Sequence, residues 1–84
     1  MRHDGLNWTD NALRRTAQEF SANRIKGEDL PLILEWIAAM SRNSVEAARA
    51  IEYQPNEFDA TAKAANDAVE RLDRAGIDTG YIRR

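Results

Sequence analysis

Residues 30–40, LPLILEWIAAM, carry one charged side chain, Glu35, in a chain where 31% of residues are charged. If the run is helical, stepping about 100° per residue spreads Leu30, Leu32, Ile33, Leu34, Trp36, Ile37 and Met40 over an arc of roughly 200°. That is about twice the stripe of an ordinary surface helix, so neighbours must cover it on two sides. The run falls well short of the roughly 20 apolar residues that a membrane helix needs. The first ten residues, MRHDGLNWTD, contain no apolar core of the kind a signal peptide carries. The expectation is a soluble, cytoplasmic protein. At 84 residues it is a single domain, of a size that buries about 60–65% of the surface its unfolded chain exposes.

Around this run the punctuation predicts an all-α protein, a small bundle of three to four antiparallel helices at about residues 10–26, 29–41, 44–53 and 57–75, with a short tail over 78–84. The first helix is expected to start at Thr9 as N-cap, with Trp8 and Leu13 as a hydrophobic staple, and to end by Gly27. Its apolar stripe would be Leu13, Ala17 and Phe20, with Thr16 beside them. The second helix is announced by Glu28 and Asp29, with Pro31 tolerated in the first turn. Asn43 followed by Glu46 resembles a capping pair, which predicts a break within Ser41–Ser44. One continuous helix is the alternative, since Ile37, Ser41, Ser44 or Val45, Ala48 and Ile51 keep helical spacing. Pro55 ends this segment. The last helix has Asn56 as cap, Phe58, Ala62, Ala65, Val69 and Leu72 as stripe, and Ala64, Ala68 and Ala75 as a ridge that admits a close neighbour. Gly76 and Ile77 read as a Schellman ending in which Ile77 meets Leu72.

Nothing in this pattern points to catalysis or to a cofactor. The absence of cysteine excludes disulfides, thiolate metal sites and a cysteine nucleophile. His3, the one imidazole, sits next to Asp4 at the terminus, where a second shell is seldom available to orient a base or a ligand. Asp67, Glu70 and Asp73 lie three residues apart on one helix face and read as a solvated surface, with Glu70 and Arg74 as a helical ion pair. None of Ser21, Ser41 and Ser44 follows an aspartate, so the attachment site of acyl carrier proteins is not present, and the glycines at 5, 27, 76 and 80 form no phosphate loop. The expectation is a non-enzymatic protein with no cofactor, metal or small-molecule substrate.

Charge makes nucleic acid an unlikely partner class. The net charge is −2 and the pI about 5.3, whereas nucleic-acid-binding domains usually carry a basic face. The stretch IAAMSRNSVEAARAI, residues 37–51, resembles a helix-turn-helix, which implies a DNA-binding regulator as the alternative function. Its turn lacks glycine, and its second helix presents Glu46, Arg49 and Glu52, two charges that phosphates repel for one they attract. A basic surface would then come from Arg14, Arg15, Arg24 and Lys26.

The reading that remains uses the surplus apolar arc. Leu32, Trp36 and Met40 on the second helix, with Tyr81 and Ile82 on the tail, are the candidate partner-binding residues, and tryptophan is a common interface anchor. The expected partner is another protein or a second copy of the chain, a homodimer being simplest. Ten arginines against two lysines, with fourteen alanines, suggest a GC-rich genome. The expected role is that of an adaptor or inhibitor encoded by a bacterium, phage or plasmid, with a structural subunit of a larger assembly as a further alternative.

Overall fold

The computed structural model describes the backbone of residues 4–83 and the side chains of residues 7–82. His3 and Arg84 therefore lie outside the described residues. The described chain is helical throughout its regular structure: α1 Asp4–Ser21, α2 Leu30–Ile51, α3 Phe58–Ala75 and a short α4 Gly80–Arg83. No described helix is long and apolar enough to cross a membrane.

The first difference from expectation is α2, which runs without a break through Ser41–Ser44. Asn43 and Glu46, which read locally as a capping pair, both serve α3 instead. Asn43 Oδ1 accepts from the Thr61 hydroxyl at 3.1 Å, and Glu46 Oε1 accepts from the backbone N–H of Glu57 at 2.8 Å. The side chains that would have opened a new helix thus tie the old one to its neighbour. The second difference is the start of α1, at Asp4 rather than after Thr9. Trp8 and Leu13 form no staple: Trp8 packs edge-on against Trp36, ring centroids 5.5 Å apart, while Leu13 is 43% exposed.

All three long helices end in the same way. After α1, Asn23 takes φ 61°, its N–H bonds to Phe20 O, and the next N–H, from Arg24, reaches Glu19 O. Tyr53 repeats this at φ 58°, with bonds from Tyr53 N to Ala50 O and from Gln54 N to Arg49 O. Gly76 repeats it at φ 70°, with Gly76 N on Asp73 O and Ile77 N on Leu72 O. These are Schellman motifs, which satisfy the last carbonyls of a helix through one left-handed residue. The one at Gly76 matches the sequence expectation; α1 ends at Ser21, with Asn23 rather than Gly27 as its left-handed residue. At the start of α3 the N-cap position is Glu57 rather than Asn56, although Asn56 Oδ1 does accept from the Phe58 N–H.

α2 is the centre of the fold and packs on α1 at one flank and α3 at the other, while α4 docks on α1. The core is Ala12 of α1, Ile33, Trp36 and Ile37 of α2, Ala68 and Leu72 of α3, and Ile82 of α4. Of the expected alanine ridge on α3, Ala68 is buried with Ala65 beside it, while Ala64 and Ala75 face solvent. The tail is thus part of the core. Ile82 is 7% exposed, the Tyr81 hydroxyl meets Thr16 Oγ1 at 3.1 Å, and the Tyr81 carbonyl accepts from Arg15 at 2.9 Å.

Candidate functional site

Trp36 is 2% exposed. It is covered within the chain by Trp8 and the core around Ile82. Leu32, Met40 and Tyr81 are partly buried and pack against the same core. The sequence-derived binding set of Leu32, Trp36, Met40, Tyr81 and Ile82 is therefore brought together, but as the interior of the molecule. The physical reason is that Trp8 of α1 packs on Trp36, while the tail folds back onto α1 and adds Ile82 to the same core.

The surplus apolar surface of α2 nevertheless exists, on the other flank. Two contacts fix the geometry of the α1–α2 seam. Thr9 and Ser41 hydroxyls are hydrogen-bonded at 2.5 Å on one side of it, and Trp8 meets Trp36 on the other. Counting from Ala12, Thr9, Phe20 and Leu13 stand at about 60°, 80° and 100° around α1, while Trp8 stands at about −40°. Counting from Ile33, Ser41, Leu34 and Val45 stand at about 80°, 100° and 120° around α2, while Trp36 stands at about −60°. Leu13, Phe20, Leu34 and Val45 therefore share the Thr9–Ser41 side. Asn43 and Glu46, which contact α3, stand on the Trp36 side at about −80° and −140°.

One face of the α1–α2 pair is thus packed and the other is open. Leu13, Phe20, Leu34 and Val45 are 43%, 42%, 42% and 45% exposed. Such uniform half-burial is what a shallow apolar face gives, as distinct from single hydrophobic side chains scattered over a surface. The polar groups on this seam are already satisfied, because Ser41 donates to Ile37 O at 2.8 Å and shares the Thr9 bond. Beyond the open face, Ile51 and Tyr53 at the end of α2 are 78% and 97% exposed.

The residues of the DNA-binding alternative do not assemble into a basic face. Arg15 is engaged with Tyr81, and Arg24 pairs with Glu19 at 2.8 Å, a bond that raises its pKa further. Arg14 is exposed on α1, and exposed Lys26 follows that helix in the loop before α2. The turn required by a helix-turn-helix is absent from the described residues, since residues 37–51 lie within one helix. A shallow groove between α2 and α3, with Ala39, Arg42, Thr61 and Asp67 among its lining, is spanned by the ion pair of Glu35 with Arg71. Its walls carry both charge signs and favour no one ligand class. Compared with models of known protein families, with curated proteins and with solved structures, the chain matches none.

Proposed function

We propose that the protein is a non-enzymatic protein–protein interaction module, an adaptor or inhibitor of the kind that bacteria, phages and plasmids encode. On this reading it engages its partner through the open face of the α1–α2 seam. The observation that carries the reading is that Leu13, Phe20, Leu34 and Val45 are all half-exposed at helical positions that fall on one side of two packed helices. Covering the remaining surface of each contributes about 1 kcal/mol, taking full burial of such a side chain as roughly 1.5–3 kcal/mol. In a domain whose total margin is about 5–15 kcal/mol, four such side chains left in water on one face are a substantial loss. Between α2 and α3 the order of contacts also supports an antiparallel arrangement. Glu46, Asn43 and Glu35 meet Glu57, Thr61 and Arg71 in turn along α3.

The reading is tested in the cells that make the protein, with a photo-crosslinking amino acid placed at Leu34 and, as control, at Lys63 on the exposed side of α3. A discrete protein adduct at position 34 and none at position 63 is expected. Absence of any adduct at position 34 overturns the proposal.

A further inference from the structure

We infer that the occupant of the open face is a second copy of this chain, laid on it about a two-fold axis that runs along the α1–α2 seam. This rests on the interaction reading of that face and names its partner. Three observations carry it.

The first is area. The chain exposes 6060 Å², whereas a compact monomer of 9.5 kDa exposes about 5,000 Å². Its radius of gyration is 13.6 Å against about 12 Å for a compact domain of this length. The molecule is a slab, 43 × 29 × 18 Å, and its thin dimension is less than two helix diameters of about 10–12 Å. The excess surface, about 1,000 Å², is close to the roughly 800 Å² that each partner contributes to a standard interface. A second slab of the same kind is a sufficient cover.

The second is polarity. The seam hydroxyls of Thr9 and Ser41 bond to each other and to Ile37 O, so an apolar face can be laid over them without stranding a donor. A copy of the same face needs no polar group of its own to satisfy them.

The third is charge register. Thr9 and Ser41 define a common level along the two helices. At about 1.5 Å rise per residue, Asp10 and Arg42 lie one residue beyond that level on their respective helices, about 3 Å apart in height. Asp10 stands on the outer edge of α1, at about 160°, and exposed Arg42 on the side of α2 that borders the α2–α3 groove, at about 180°, on the wheels that place the seam near 0–40°. A two-fold axis along the seam sets each α1 over the partner's α2 at unchanged height. Asp10 then faces Arg42 in both copies. An axis across the seam through the middle of the open face would instead bring Arg14 onto its own copy.

The test is sedimentation equilibrium of the purified full chain from roughly 1 to 100 µM, a range that reads dissociation constants around the micromolar level. A two-fold mass is expected. Asp10→Arg and Arg42→Asp, both at exposed positions, should each weaken association about ten-fold, since like charges are then opposed. The pair combined should return to within about three-fold of the starting value, because the opposite charges are restored in reverse. A monomer mass at every concentration overturns the inference, and a dimer that the combined variant fails to rescue overturns the axis. The crosslink at position 34 separates this from failure of the interaction reading itself. An adduct of twice the chain mass supports self-pairing. An adduct of any other mass overturns self-pairing and leaves the interaction reading standing.

Discussion

Tyr81 is fixed at two points, by its hydroxyl on Thr16 and by its carbonyl under Arg15, and it anchors the short helix that delivers Ile82 to the core. Partial burial raises the pKa of its phenol above the ordinary value of about 10, the Thr16 bond opposes this, and Glu19 and Asp78 add to the rise. The folded state therefore holds this proton more tightly than the unfolded chain does. Its contribution to stability is fully present below the ordinary tyrosine value and is lost as pH rises from there through the folded pKa. Tyr81→Phe is expected to cost about 1 kcal/mol at neutral pH, the net worth of one hydrogen bond. Its deficit should shrink above pH about 10, where only the parent ionises this ring. Urea unfolding of both proteins at the two pH values checks this, and a deficit that stays constant would remove the role assigned to the phenol. None of this was legible in the sequence. Tyr81 and Ile82 read there as apolar groups on a free tail, because no local pattern says that a four-residue helix will fold back sixty-odd positions to meet Thr16.

At the scale of elements, the helices and their endings were legible to the degree that their signals are local. α3 is read almost correctly from Asn56 through Gly76, since cap, stripe and left-handed glycine all act within a few residues of one another. α2 was misread at Asn43 and Glu46 because their partners, Thr61 and Glu57, lie on another helix. Pro55 signalled a stop after α2, but the left-handed residues that close α1 and α2 were not marked: Asn23 and Tyr53 do the work that glycine does at 76. Tyr53 is the costly one, a bulky side chain at φ 58°, where an L-residue loses roughly 1–2 kcal/mol. It is 97% exposed, so no packing compensates within the chain. Tyr53→Gly should raise the unfolding free energy by about 0.5–1 kcal/mol, the strain relief less the extra freedom of glycine in the unfolded chain. Chemical denaturation measures it, and a loss of stability would show that the tyrosine ring makes a contact that offsets its conformation.

For the molecule as a whole, the sequence correctly required that α2 have more apolar circumference than one neighbour could wrap. It could not say which flank the chain would wrap itself. Trp8 and the core that Ile82 joins cover Trp36, and the surplus lies at Leu34 and Val45, joined by Leu13 and Phe20 of α1. Trp36, the chief expected anchor, and the observed open face thus lie on opposite sides of one helix, about 160–180° apart around it. This separation gives the molecule two optically distinct sides. Its two tryptophans touch one another at the core that Ile82 joins, so intrinsic fluorescence excited at tryptophan alone comes from one junction, on the packed side. Leu34→Asp should leave the emission maximum where it is while altering whatever covers the open face. Ile82→Asp should move the maximum to the red, as water reaches the indoles. Filling one side and opening the other can then be followed in the same cuvette, with no label attached.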